Sequence, residues 1–306
     1  MSQRVGVLMG GMSSERTISL KSGRAVAQAL RERGHNVMEI DVGPDLPEQL
    51  RTNQIDVAWI ALHGAFGEDG CVQGLLEIMR IPYTGSGVQP SAAAMDKITT
   101  KRLLRDTQVQ LPADRTWRPG EAVPTDILPA VVKTPEGGST IGIYMCEDAE
   151  ALERALNDCQ QWGQEVLIEE KIVGEEITVA ILNGQPLPVV SIRPKEGFFD
   201  FEAKYTKGQT DYLVPSPLPE RITAHAQAQT QAAYRQLNLH GIARADFIVD
   251  SNGIPWFLEV NTIPGMTATS LSPMAANAIG IDFGVLVEQL LEGATLHRTI
   301  GTADLA

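Results

Sequence analysis

The chain has 306 residues, 43% hydrophobic and 21% charged, which is typical of a globular protein with about two or three domains. Its formal net charge of −13 argues against nucleic acid or an anionic membrane as the main partner. The cysteine spacing fits neither a disulfide framework nor a zinc site. The first residues lack the apolar stretch typical of a secretory signal, and no apolar run approaches about 20 residues. We therefore expect a soluble, cytoplasmic protein.

The N-terminal residues 1–86 are predicted to form an α/β unit around a parallel sheet. Strands are predicted at 4–9, 36–41 and 55–62. A helix is predicted from about Glu15 to Arg33, with Ser13 or Ser14 as its cap. The glycines before this helix do not form the Gly-x-Gly-x-x-Gly pattern, so a Rossmann dehydrogenase is a poor interpretation. The helix dipole alone can explain a glutamate at this position.

A glycine-rich loop follows the third predicted strand and has the sequence His63-Gly-Ala-Phe-Gly-Glu-Asp-Gly70. Three glycines around two acidic residues predict a loop with unusual backbone angles at the carboxyl end of a strand, where α/β proteins bind ligands. A single histidine in such a loop is more often structural than catalytic. The role of His63 is therefore open on the sequence alone.

Residues 87–172 are predicted to form a second unit, which opens with a helix from Ser91 to about Asp106. Its strands are predicted at 130–133, 141–145 and 165–169. Lys133 precedes a segment rich in small residues, whose backbone amides can contact phosphate oxygens while the lysine supplies positive charge. The segment does not match a P-loop, and a surface hairpin would have a similar sequence.

Residues 173–306 are predicted to form a third unit. Its strands are predicted at 176–182 and 187–193, and its helices at 220–237 and 283–292. The segment 195–212 is rich in aromatic residues, glycine and charge, and a loop of this length inside a compact domain is usually functional or disordered. Its composition favours a lid that closes over a site and excludes water.

A β-hairpin is predicted from Arg244 to Asn261, with Asn252-Gly253 as a two-residue turn. This register pairs Asp246 with Glu259 and Arg244 with Asn261 on one face. The opposite face is predicted to be apolar and to carry Ala245, Phe247, Val249, Trp256, Leu258 and Val260. Two opposed carboxylates and an amide oxygen favour Mg²⁺ or Mn²⁺. The alternative is a solvated polar face on which Arg244 neutralises the acids.

The motifs taken together resemble one enzyme family. The pattern Arg244-x-Asp246, followed by Glu259-Val-Asn261-Thr-Ile-Pro-Gly265, resembles the metal-binding end of the ATP-grasp ligases. The loop from His63 to Gly70 is similar to a signature of the D-alanine–D-alanine ligases within that superfamily. The resemblance implies an α/β fold with α+β lobes: a three-domain ATP-grasp fold with an N-terminal Rossmann-like parallel-sheet domain. The implied domains are 1–86, which binds substrate, 87–172 and 173–306, with ATP between the last two.

The resemblance also implies a reaction and a role for each site residue. ATP phosphorylates one D-alanine, and the amine of a second D-alanine attacks the acyl phosphate. The implied metal ligands, for two Mg²⁺ or Mn²⁺, are Asp246, Glu259 and Asn261. The implied ATP contacts are Lys97, Lys133, Glu169, Glu170, Ile172, Glu176 and Lys204. The implied catalytic residues are Glu15, Ser139, Tyr205, Arg244 and Gly265, and the implied substrate contacts are His63, Ser270 and Leu271.

Two details depart from the family pattern, and alternative functions stay open. Thr134 follows Lys133 where the family usually has proline, and Glu170 stands where close relatives often carry lysine. The alternatives are an ATP-grasp ligase that joins L-amino acids or makes a D-alanyl-D-lactate ester, and an ATP-binding regulatory protein without activity. The resemblance implies D-alanine and ATP as the ligands and a homodimer formed through the first domain.

Overall fold

The computed structural model describes residues 3–136, 142–160, 165–194 and 210–298. The N-terminal unit is built on a parallel sheet with the strand order β2-β1-β3. Its elements are β1 (Arg4–Met9), α1 (Arg16–Glu32), β2 (Asn36–Asp41), α2 (Leu46–Thr52), β3 (Val57–Ile60) and α3 (Cys71–Met79). The three predicted strands and the first helix are confirmed. The predicted serine cap is wrong, because Glu15 is the N-cap and the Ser13 hydroxyl accepts from its backbone amide.

A single helix predicted from Ser91 to about Asp106 is wrong, because two helices occupy this segment. They are α4 (Val88–Met95) and α5 (Lys97–Leu104). Between them Asp96 has an extended backbone, and its carboxylate accepts a hydrogen bond from the Thr99 amide at 2.7 Å. This side-chain cap starts a new helix. Lys97 is therefore the first residue of α5.

The second sheet is antiparallel and has the order β4-β7-β5-β6. Its strands are β4 (Asp114–Trp117), β5 (Ala130–Lys133), β6 (Ile143–Cys146) and β7 (Val166–Glu170), and α6 (Ala149–Gln160) packs on it. Of these strands, β4 was not predicted. The third sheet has the order β11-β10-β8-β12-β13, with β9 paired to β8. It comprises β8 (Glu175–Leu182), β9 (Gln185–Pro186), β10 (Val190–Pro194), β11 (Thr210–Leu213), β12 (Ile242–Val249) and β13 (Pro255–Asn261).

Three helices complete the described part of the third unit. They are α7 (Glu220–Gln236), α8 (Leu271–Asn277) and α9 (Phe283–Glu292), of which α8 was not predicted. Side chains of the first and third sheets share one apolar core, which α1 and α9 also enter, whereas the second sheet has a core of its own. No helix in the described ranges is long and apolar enough to cross a membrane.

The hairpin pairs Asp246 with Glu259 and Arg244 with Asn261, as predicted, but the turn differs. The Asp250 amide bonds the Ile254 carbonyl at 3.1 Å, so the loop has one residue more than predicted. An irregularity between Asp246 and Phe247 compensates, because the register shifts there by one residue.

This shift changes the apolar face of the hairpin near the turn. Phe247 now lies opposite Phe257, and both side chains are fully buried with their rings 5.7 Å apart. The prediction of Trp256 and Leu258 on the buried face is therefore wrong, since both are only partly buried.

Candidate functional site

The carboxylate of Asp246 lies in a dense set of hydrogen bonds. Arg244 donates to its two oxygens at 2.9 and 2.8 Å, and the Thr178 hydroxyl donates to Oδ1 at 2.5 Å. The Asn261 amide donates to Oδ2 at 3.3 Å. Thr178 is opposite Asp246 in the register between β8 and β12, which explains how a buried threonine orients this acid. The Asp246 carboxylate is thus neutralised and fixed.

The carboxylate of Glu259 lies on the same face of the hairpin and is paired with Lys97. The distance from Lys97 Nζ to Glu259 Oε2 is 3.4 Å, and the lysine side chain is buried. Lys97 reaches this position from the first turn of α5. Its backbone amide donates to the Pro135 carbonyl at 3.0 Å, which ties the helix to the start of the glycine-rich segment.

The donor set of this face fits Mg²⁺ or Mn²⁺. In the described parts of the chain, no three His, Cys, Asp or Glu side chains are grouped closely enough to hold a metal. Asp246, Glu259 and Asn261 offer two carboxylates and one amide, all hard oxygen donors. Mg²⁺ in nucleotide sites is commonly held by one or two carboxylates together with phosphate oxygens. The residues therefore fit a metal that arrives with a nucleotide.

Glu169 forms a buried ion cluster with two lysines. Lys133 and Lys101 are paired with its two oxygens, and all three side chains are buried. Burial opposes ionisation of Glu169, but the two ammonium groups hold the pKa of its carboxyl below the ordinary value. Lys133 and Glu169 were predicted as site residues, whereas Lys101 was not. Nothing in the sequence distinguishes this lysine from a solvated helix residue.

The glycine-rich segment after Lys133 is closed at its base. The Thr134 amide donates to the Gly142 carbonyl at 3.1 Å, and Gly142 has a φ of +76°. A β-carbon at Gly142 would lie 2.5 Å from the Thr134 hydroxyl oxygen. The Thr134 side chain therefore leaves room only for glycine at position 142. Residues 137–141, with the predicted Ser139, lie outside the described residues, as do Lys204 and Tyr205 of the predicted lid.

The segment from Glu170 to Glu176 joins the second and third sheets. The Glu170 amide donates to the Ala113 carbonyl at 2.8 Å, which ties the start of this segment to the residue before β4. Ile172 and Glu176 are partly exposed. Between them, a β-carbon at Gly174 would lie 1.9 Å from the Val249 carbonyl oxygen, so this segment needs glycine to reach the sheet.

His63 is buried and hydrogen-bonded within the protein. Its Nε2 lies 3.2 Å from the Ser22 hydroxyl, and its ring also bonds the Ile263 backbone. The Ser22 hydroxyl in turn accepts from the Met266 amide at 3.2 Å. Burial is the main cause that lowers the pKa of His63. The imidazole therefore links the N-terminal unit to the loop after β13.

Glu68 makes a second link to the same loop. Its carboxyl oxygens accept from the Gly64 amide at 2.7 Å and from the Ile263 amide at 3.2 Å. Neither Glu68 nor Ser22 was predicted as a site residue. Glu68 belongs to the quoted loop motif, but its contact with Ile263 spans two units and is not visible in the sequence.

The remaining predicted residues line the two loops that these links join. A β-carbon at Gly64 would lie 3.0 Å from Glu15 Oε2, so Glu15 faces the His63 loop. A β-carbon at Gly265 would lie 3.2 Å from Ser270 Oγ, and Ser270 and Leu271 begin α8. The described residues thus bring Glu15 and the 63–70 loop beside the loop that carries Gly265.

The stability of the fold should depend on the protonation of Glu68. Burial is the largest cause that raises the pKa of its carboxyl from 4.5 to about 8. The folded chain then holds a proton that the unfolded chain has released. The stabilisation that this bound proton gives to the folded state is complete below pH 4.5 and is lost as the pH rises through about 8.

We expect the free energy of unfolding of the wild type, relative to that of Glu68→Gln, to fall between about pH 5 and 8. The slope should be at most about 1.4 kcal/mol per pH unit. Urea unfolding of both proteins at several pH values measures this difference. Identical pH slopes would contradict a protonated Glu68.

Family models and known proteins match most of this chain. Residues 45–86 match the family model of the D-ala D-ala ligase N-terminus, and residues 107–292 match that of the C-terminus. A D-alanine–D-alanine ligase of Syntrophotalea carbinolica is 47% identical over 298 residues, which is 97% of each chain. That of Desulforudis audaxviator is 47% identical over 301 residues, covering 95% of this chain and 98% of the relative.

Solved structures agree as well. The D-alanine–D-alanine ligase of Bacillus anthracis superposes with a TM-score of 0.85 at 37% identity, covering 95% of this chain and 97% of that one. A structure of the same enzyme complexed with ATP gives a TM-score of 0.84 at 35% identity, with the same coverage.

Proposed function

This chain belongs to the D-alanine–D-alanine ligase family, and we propose that it joins two D-alanine molecules at the expense of ATP in the cleft described above. The observation that carries this proposal is the pairing of Asp246 with Glu259 next to Arg244, Lys97 and the loop of Gly265. The reaction forms D-alanyl-D-alanine, ADP and phosphate through an acyl phosphate. In bacteria this dipeptide is a precursor of peptidoglycan.

The nucleotide is proposed to bind between the second and third sheets. Its base would contact backbone groups at 170 and 172, with Glu169 beside it, and its ribose would contact Glu176. Lys97, Lys133 and Lys204 would contact the phosphates, because an ammonium group is a charged hydrogen-bond donor to phosphate oxygens. Two Mg²⁺ or Mn²⁺ ions held by Asp246, Glu259 and Asn261 would neutralise charge on these phosphates.

The amino acids are proposed to bind between the loops joined by His63 and Glu68. Glu15 would hold the ammonium group of the first D-alanine and, with Ser139 and Tyr205, organise the lid. His63 would lie beside this substrate and act mainly by fixing the loop after β13, since its ring is buried and hydrogen-bonded to Ser22. Ser270 and Leu271 would receive the carboxylate of the second D-alanine at the start of α8.

The acyl transfer needs a group that stabilises negative charge on the attacked carbonyl. Arg244 and the Gly265 amide are proposed to donate hydrogen bonds to this oxygen. A carboxylate is a poor acceptor for an amine, so its phosphorylation must come first. The predicted lid of 195–212 is too long at its end, because β11 begins at Thr210. Closure of the part before β11 would keep water from the acyl phosphate.

A survey of phosphate release across D- and L-amino acids tests this proposal. We expect ATP-dependent release with D-alanine, formation of D-alanyl-D-alanine, and little release with L-alanine. Activity with L-amino acids, or an ester formed with D-lactate at a comparable rate, would favour the other ATP-grasp ligases. ATP binding without any release would favour a regulatory protein. We also propose a homodimer formed through the first domain and, because ATP is the phosphate donor, a cytoplasmic location.

A further inference from the structure

The buried cluster of Lys101, Glu169 and Lys133 contains more positive charge than its own neutralisation requires. Lys101 and Glu169 are 2% exposed and Lys133 is 7% exposed. Each lysine is paired with a different oxygen of the one carboxylate. One lysine would suffice to neutralise a buried glutamate, so the presence of two needs an explanation.

The two lysines differ in how firmly they are held. Lys101 projects from α5, and its ammonium also donates to the Pro112 carbonyl at 3.2 Å. Asp114 Oδ1 lies 3.9 Å from this ammonium, but Arg105 bonds the Asp114 carboxylate at 2.9 Å. Glu169 is therefore the main counter-ion of Lys101.

Lys133 occupies a different position in the sheet. It is the last residue of β5, and Val131, two residues earlier, lies opposite Glu169 on β7. Lys133 is thus the diagonal neighbour of Glu169 on one face of the sheet. The glycine-rich segment begins directly after it.

Lys101 determines the electrostatic cost of moving the Lys133 ammonium from Glu169 to a phosphate. If Lys133 were the only cation at Glu169, its attraction to a phosphate would leave a carboxylate buried without a counter-ion, which is strongly unfavourable. With Lys101 in place, Glu169 keeps one ammonium partner throughout. Lys133 is then able to interact with a nucleotide at little electrostatic cost.

We propose that Lys101 is a positioning residue that holds Glu169 and thereby makes the charge of Lys133 available to ATP. This inference rests on the proposed function, because it requires that Lys133 contacts the nucleotide. Lys101 itself does not touch the nucleotide in this scheme.

A double-mutant cycle tests the proposal. Lys101→Met, Lys133→Met and the double variant are compared with the wild type by calorimetric titration with a non-hydrolysable ATP analogue and Mg²⁺. We expect Lys101→Met to weaken nucleotide binding by at least about tenfold, which equals about 1.4 kcal/mol. The KM for D-alanine should stay within about twofold. Lys21→Met, at an exposed position of α1, is the matched control.

The double variant distinguishes a positioning role from a general loss of structure. If Lys101 acts through Lys133, the double variant binds the nucleotide as weakly as Lys133→Met and no weaker. Unchanged binding in Lys101→Met, or losses that multiply in the double variant, would overturn the proposal. Normal nucleotide binding by Lys133→Met would refute the contact of Lys133 with ATP, whereas the ligase activity is judged separately by phosphate release.

A second pair of variants covers the case that Lys101→Met does not fold. Glu169→Gln and Lys101→Met/Glu169→Gln both lack the buried carboxylate through which Lys101 acts. We expect the two to bind the nucleotide with the same affinity to within about twofold. A further tenfold loss on addition of Lys101→Met would show a direct role of Lys101 and overturn the proposal.

Discussion

Asp246→Asn is expected to lower turnover by at least about 10³-fold while the fold stays nearly intact. The substitution removes a negative charge from the proposed metal ligands but hardly changes the volume of the side chain. The charge of a ligand contributes to both metal binding and the stabilisation of the transferred phosphate. Asparagine can still accept from the Thr178 hydroxyl, which limits the structural change.

Asp250→Asn is the matched control in the same hairpin. Asp250 accepts hydrogen bonds from the Asn252 and Ile254 amides, both at 2.9 Å, and from the Trp256 ring at 3.1 Å. Loss of the Asp250 carboxylate should lower the free energy of unfolding by about 1 kcal/mol without a change in turnover. Steady-state kinetics at saturating Mg²⁺ and urea unfolding separate the two effects. Turnover of Asp246→Asn above a tenth of the wild-type value would dismiss Asp246 as a metal ligand.

The hairpin shows how a correct pairing can follow from an incorrect turn. The dipeptide Asn252-Gly253 predicts a two-residue loop, but the Asp250 carboxylate bonds two amides of the turn and fixes a longer loop. Alone, this change would move Glu259 out of register with Asp246 and onto the other face. The irregularity beyond Asp246 restores the register, and no sequence rule for turns or strands predicts it.

The parts of the site that were predictable lie within short segments of the chain. Arg244, Asp246, Glu259 and Asn261 share a face because strand side chains alternate, and this follows from the sequence. The contacts that link different units do not follow from the sequence in this way. The pairing of Lys97 with Glu259 joins two units and depends on the position at which α5 begins.

The burial of individual polar side chains also could not be predicted from local sequence patterns. Thr178 is buried because β8 lies between β10 and β12 in the third sheet. Lys101 is buried where its side chain on α5 meets Glu169 of β7. The arrangement of the elements in three dimensions determines both cases, and a single sequence contains no direct record of it.

Gly174→Ala is expected to damage both stability and nucleotide binding. Gly174 lies directly before β8, where Glu175 pairs with Val249 of β12. An added β-carbon would lie 1.9 Å from the Val249 carbonyl oxygen, closer than any van der Waals contact. The obstacle is backbone of a central strand, so the linker must move. We expect a loss of about 1–3 kcal/mol, the usual cost of overpacking.

The same displacement should reach the nucleotide, because Ile172 and Glu176 flank Gly174 on the linker proposed to hold the base and the ribose. We expect the KM for ATP to rise by roughly tenfold, a change of about 1.4 kcal/mol, while the KM for D-alanine changes little.

Gly74→Ala is the matched control. Gly74 lies within α3, and no atom outside its own helix turn lies within 4 Å of an added β-carbon. Alanine there should stabilise the helix by about 0.5–1 kcal/mol. Urea unfolding should therefore shift in opposite directions for the two variants, and only Gly174→Ala should alter the kinetics with ATP. A Gly174→Ala protein with wild-type stability and KM would mean that the linker tolerates displacement and does not determine the position of the nucleotide.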